Sequence, residues 1–217
     1  MTTNTAGGAP EVKIGDWLRD GWGIFVSDIG MFLLASLIYN VIIGTCLGGL
    51  ILYGPLTCGM YLMIFDRMQG GKADVRRLFK GFDFFGQSFT VGLIFFVLTL
   101  VCLAITYGGF ALCVVPSLIG IALLTLLQTA FLFAFQLIVQ HKAGAEGPIS
   151  TSFNKVKENM VQFLLFGLVL WIIEMAGYCV TIGWLVTTPL VLAASAAAYR
   201  DVFGLEAAQA EQQQTHS

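Results

Sequence analysis

The chain has 217 residues, 57% of them hydrophobic and 11% charged, with a formal net charge of −2 and a mean hydropathy of +0.83. That composition excludes an ordinary soluble globular domain, and the slightly negative charge argues against nucleic acid as a partner. The charges fall in clusters, and the long gaps between clusters define the predicted elements.

Positions 1–10 are small and polar, predict a disordered start, and lack the basic and apolar regions of a cleavable signal peptide. Over 11–27, Ile14, Trp17, Leu18 and Phe25 recur at helical spacing opposite Asp16, Arg19 and Asp20. That is the pattern of an amphipathic helix lying in a membrane interface. Between Asp28 and Asp66 there is no formally charged side chain. As one helix this block would run roughly 55 Å, against a hydrocarbon core of roughly 30 Å. It is therefore predicted to fold back at Gly44-Thr45-Cys46-Leu47-Gly48-Gly49, giving spans near 29–46 and 48–66.

Segment 73–87 repeats the amphipathic pattern, with Val75, Leu78, Phe79, Phe82 and Phe85 opposite Arg76, Arg77, Lys80 and Asp83. A second charge-free block, from Asp83 to Lys142, breaks between Thr106 and Pro116 and predicts spans near 88–107 and 117–140. A third amphipathic segment sets Ile149, Phe153, Val156 and Met160 opposite Asn154, Lys155 and Glu158, with Pro148 suited to its first turn. The last block, from Asn159 to Arg200, holds Glu174 as its one charge and breaks near 177–183, predicting spans near 161–180 and 182–203. The Ala- and Gln-rich tail at 205–217 reads as disordered. A closed β-barrel needs alternating segments of about ten residues, and the run from Val91 to Leu98 does not alternate. The predicted fold is all-α: one membrane domain over 11–204, a bundle of about six spans with amphipathic interfacial helices on one side.

Six spans place all eleven basic residues on one side, and by the positive-inside rule that side is cytoplasmic, together with both termini. An interfacial helix followed by a helical hairpin then recurs three times. The recurrence reads either as parallel repeats or as the ordinary look of an amphipathic helix before a span.

Gly54-Pro55-Leu56 with Gly59, then Gly70-Gly71-Lys72, then Leu78-Phe79-Lys80-Gly81-Phe82, make a pattern that continues in Val115-Pro116 and in Pro189 through Ala198-Tyr199-Arg200-Asp201. Over most of 14–204 the chain resembles uncharacterised bacterial six-helix membrane proteins, which are similar to the membrane domain attached to some glycerophosphodiester phosphodiesterases. The resemblance implies a six-helix fold and a multi-pass location in the bacterial inner (plasma) membrane. It carries over no catalysis, since no phosphodiesterase domain is attached.

Glu174 is the sharpest candidate, because an ionisable group inside the hydrocarbon costs about 2–3 kcal/mol on insertion scales and is often functional; a protonated carboxyl bonded to a neighbouring helix, or an acid close enough to the outer surface to reach water, accounts for it without a function. Facing inward, Asn40 and Gln128 would join it in a polar cavity, while interhelical amide bonds account for Asn40, Gln128 and Gln136 equally well. Pro55 and Pro189 are candidate helix kinks. Arg67, Lys72, Arg76, Arg77 and Lys80 are candidate contacts for anionic lipid, each worth about 1 kcal/mol near a charged leaflet. Cys46, Cys113 and Cys179 fall at or near the outer turns, where an oxidising exterior permits a disulfide. Gly70-Gly71-Lys72 is no phosphate loop, because Asp66 and Ala73 stand where the pattern needs Gly and Ser or Thr. No metal-ligand spacing and no catalytic motif is visible, so neither a cofactor nor a metal is expected. The leading functional expectation is a non-enzymatic scaffold, accessory subunit or lipid-associated factor, with membrane lipids and a membrane-protein partner or a second copy as partners. The alternatives are a small-solute or ion transporter or channel working around Glu174, and a lipid-acting membrane enzyme.

Overall fold

The structure is a computed structural model that describes residues 12–112, 114–141, 147–180 and 182–205, without side chains at 46–47 and 109–116. Cys113, Lys142, positions 1–10 and positions 206–217 lie outside the described residues, as do the Cys46 and Pro116 side chains.

Every regular element among the described residues is helical. Helix α1 (Ile14–Ser27) and α2 (Ile29–Ile43) meet at Asp28 with a 97° bend. The Asp28 carboxylate anchors that corner, accepting from the Ala73 amide at 3.2 Å and pairing with Arg67 Nε at 3.0 Å. The predicted turn after α2 is present. Thr45 opens α3 (Cys46–Ile51) by accepting the Gly48 amide at 3.0 Å, which satisfies one of the free donors of a helix start. Then α4 (Tyr53–Met68) begins after a break at Leu52, with Pro55 in its first turn. A missing N–H is harmless there, so Pro55 belongs to a helix start and the 48–66 segment is two helices.

Beyond α4, a short α5 (Arg76–Lys80) and a 3₁₀ turn at Gly81–Phe84 lead into α6 (Phe85–Leu112). Helix α6 ends at Leu112 and the next helix begins at Val114, inside the range 106–116 where the break is expected, and α6 runs on helically through Gly108 and Gly109. A glycine inside a helix costs only about 1 kcal/mol, less than leaving backbone groups unpaired in an apolar setting. The returning helix of that hairpin is itself interrupted. After α7 (Val114–Ala130) the chain turns through 131–133 before α8 (Ala134–Val139). Helix α9 (Pro148–Lys157) closes this gap: Ser152 Oγ accepts the Phe133 amide at 3.2 Å and donates to the Ala130 carbonyl at 2.8 Å. Last come α10 (Met160–Cys179) and α11 (Trp184–Phe203), close to their predicted bounds.

The core lies where α4, α8 and α11 meet. Leu56, Met60 and Ile64 of α4, Ala134 and Leu137 of α8, and Ala193 through Tyr199 of α11 are almost wholly buried. Small residues allow this closeness. A Cβ on Gly59 would collide with the Leu78 carbonyl, and one on Gly81 with the Pro55 carbonyl, so α5 and the 3₁₀ turn lie directly on the α4 backbone.

The amphipathic stripes divide differently from the expectation. In α1, Trp17, Gly21 and Phe25 are buried. Trp17 packs on Phe163 and Phe166 of α10 and donates to Asp201 Oδ2 at 2.9 Å, and Arg200 Nη2 meets Asp20 at 2.8 Å. The apolar face expected to lie in lipid is turned onto α10 and α11. Around α5, Leu78 enters the core while Phe79, Phe82 and Phe85 stay exposed.

Among the described residues three helical stretches are long and apolar enough to cross a membrane: Arg76–Gly108, Ser117–Val139 and Met160–Cys179; the bent α1–α2 pair makes a fourth if it counts as one span. The first of these is little buried, and Ile94, Val97, Leu98 and Val101 of α6 are exposed. An apolar face so large and unpartnered is the kind of surface that lipid covers.

Candidate functional site

Polar side chains are expensive in an apolar bundle unless they find partners, and here a group of them lines one cavity of about 230 Å³. Helix α2 brings Tyr39 and Asn40, and α4 brings Tyr53, Thr57 and Tyr61 at a spacing of four, hence on one face. Tyr39 OH and Thr57 Oγ1 lie 3.0 Å apart, and Thr57 donates back to the Tyr53 carbonyl at 2.6 Å. The Thr57 proton is thereby used, so Tyr39 is the donor in their bond.

Helix α11 completes this wall with Thr188 and Ser195. Asn40 Nδ2 donates to the Ser36 carbonyl at 2.9 Å and reaches Thr188 Oγ1 at 3.4 Å. Ser195 donates to the Leu192 carbonyl at 2.9 Å, and it accepts from Tyr61 OH at 2.9 Å and from Gln136 Nε2 at 3.1 Å. Its capacity is full. Behind the wall, Gln136 Oε1 is buried and has no hydrogen-bond partner.

Helix α10 adds Glu174 and Tyr178 to the lining, and α7 adds Gln128. Phe95, Phe131 and Phe135 supply aromatic surface. Glu174 precedes the end of α10 by five residues, about 7.5 Å along the axis. No hydrogen bond or ion pair joins it to another described residue, and among the described residues no Lys, Arg or His lines the cavity. Tyr178 is 54% exposed, so the cavity reaches the molecular surface at that edge.

All three intramembrane candidates, Glu174, Asn40 and Gln128, thus line the same cavity. The tyrosines were missed. The signal for them was present: Tyr53, Thr57 and Tyr61 form a stripe at helical spacing, and Thr188 and Ser195 lie seven apart on α11.

The other candidates lie elsewhere. Arg67 is engaged with Asp28, Ser27 and the Gly71 carbonyl, and Arg77 is paired with Asp66. Lys72, Arg76 and Lys80 are exposed. Pro189 lies inside α11, next to the cavity residue Thr188. Cys58 is a buried free thiol, Cys102 a half-buried one and Cys179 an exposed one. Among the described residues no group of three or more His, Cys, Asp and Glu side chains could hold a metal ion. Comparison with known proteins adds no relative: no family model, no curated protein and no solved structure matches this chain.

Proposed function

We propose that the protein is a multi-pass membrane protein that takes up a small solute in this cavity and passes it across the bilayer. One observation carries the reading: Asn40, Gln128 and Glu174, from three separate charge-poor blocks, share one lining in which Glu174 has no protein counter-charge. Packing alone gives no reason to hold an unneutralised acid beside a space of this size. At about 230 Å³ the cavity is smaller than the roughly 300–1,000 Å³ of sites for drug-sized ligands, so it suits a small solute better than a lipid. The scaffold and accessory-subunit reading, which leads on sequence alone, draws on no comparable feature of the geometry.

In the same proposal the chain spans six times. The α3–α4 pair and α11 are protein-covered crossings, and the basic residues face the cytoplasm of a bacterial inner membrane, as in the six-helix proteins that it resembles. In the same proposal the protein is read as a non-enzyme.

Flux in proteoliposomes tests the proposal. The wild-type chain is expected to pass members of a panel of small cations and neutral solutes, and Glu174→Gln to lower the rate about tenfold or more without loss of folded protein. Flux equal in the two proteins, or absent across the panel, removes the reading.

A further inference from the structure

We infer that the solute of this cavity is a small organic cation, held by Glu174 as counter-ion and by the faces of the surrounding aromatic rings. The inference rests on the solute-site reading above and specifies its ligand. Two features of the lining point the same way. First, among the described lining residues the only formal charge is one carboxylate, and no basic side chain shares the space. In a low-dielectric setting a carboxyl group stays ionised only beside a positive partner, and the described lining supplies none, which leaves that place to the ligand. An anion would meet repulsion from an ionised Glu174, with no basic side chain in the described lining to offset it.

Second, the rest of the lining is unusually aromatic: Tyr39, Tyr53, Tyr61, Tyr178, Phe95 and Phe135 all contribute. Three of these rings pack on one another, Tyr53 being stacked on Phe95 at 5.6 Å and edge-on to Phe135 at 5.7 Å. Ring faces attract ammonium groups, and most strongly where water is excluded. Rings braced in this way are held in place before the ligand arrives, which lowers the ordering cost of binding.

The hydroxyl wall decides between cation types. Ser195 Oγ already accepts two hydrogen bonds, from Tyr61 and Gln136, and Thr57 Oγ1 already accepts one from Tyr39, so neither oxygen is well placed to ligate a metal ion. A strongly hydrated metal ion needs several oxygen ligands at short range, whereas among the lining residues only Glu174 offers a carboxylate. An alkylammonium ion sheds its water more easily and needs one counter-charge and apolar contact, which is what the lining provides.

Three probes of nearly one shape and different charge make the test: choline, its uncharged carbon isostere 3,3-dimethylbutan-1-ol, and 3,3-dimethylbutanoate. Each is titrated calorimetrically into the purified full chain in detergent, for wild type, Glu174→Gln and Glu174→Asp. Choline is expected to bind at least about tenfold more tightly than the alcohol, with no detectable binding of the carboxylate. Glu174→Gln erases the preference and Glu174→Asp keeps most of it, which separates charge from any effect on folding. Equal binding of choline and the alcohol, or a preference that survives Glu174→Gln, overturns the cation assignment and leaves the solute site standing. Binding of none of the three overturns both.

Discussion

Gly21 and Gly23, two residues apart in α1, carry opposite expectations. A Cβ on Gly21 would come within 2.6 Å of the Ala194 amide nitrogen, on a buried backbone that has little room to move. Around Gly23 there is nothing within 4 Å. Gly21→Ala is expected to destabilise the protein by about 1–3 kcal/mol through overpacking, and Gly23→Ala to stabilise it by about 0.5–1 kcal/mol through helix propensity. Thermal denaturation in detergent should show midpoints moving in opposite directions. Equal shifts would mean that α1 is not clamped on α11. Which glycine matters is not legible in the sequence, because Gly15, Gly21 and Gly23 all look alike in an amphipathic stretch. The difference lies in what faces them across a helix contact. The same holds for Gly59 and Gly81: the sequence displays them as a motif, and the backbone-to-backbone contact of α4 with α5 and the following turn gives the motif its physical reason.

Element boundaries show where tertiary contacts override local preference. Gly108 and Gly109 look like a stop and stay helical, whereas Phe131-Leu132-Phe133 looks continuous and breaks. Nothing in the composition of 131–133 asks for a turn; Ser152 of α9 makes one sustainable by satisfying a donor and an acceptor across the gap. Ser152→Ala is expected to cost about 1–3 kcal/mol, since it strands both groups in a buried place. Amide exchange over 130–139 should accelerate with it. Unchanged exchange there would show that the turn supports itself. The amphipathic character of 149–160 was legible from spacing alone, but its task was not, because the residues it serves lie about twenty positions away.

For the whole molecule, helical class, charge-poor blocks and the last two helices could be read from hydropathy and charge. The cavity could be read only in part. Glu174, Asn40 and Gln128 stood out as polar residues in apolar surroundings, yet their convergence depends on how α2, α7 and α10 pack, which no local pattern encodes. The proposed six-span arrangement predicts that Thr45 and Lys72 face opposite compartments. With the native cysteines replaced, Thr45→Cys should react with a membrane-impermeant thiol reagent added outside intact cells, and Lys72→Cys only after permeabilisation. Reaction of both from the same side would remove the six-span map.

The pairing of α1 with α11 also constrains how the molecule comes into being. Trp17, Asp20 and Gly21 find their partners in Asp201, Arg200 and Ala194, roughly 170–185 positions later in the chain. Every other helix of the bundle has left the ribosome before α11 does, so earlier segments wait without the alanine surface that completes their packing. Such long-range closure is slow and leaves sticky intermediates. Nascent chains halted before residue 184 should accordingly lean on insertion machinery and be degraded quickly, while release of α11 locks the first helix and the last together in one late step.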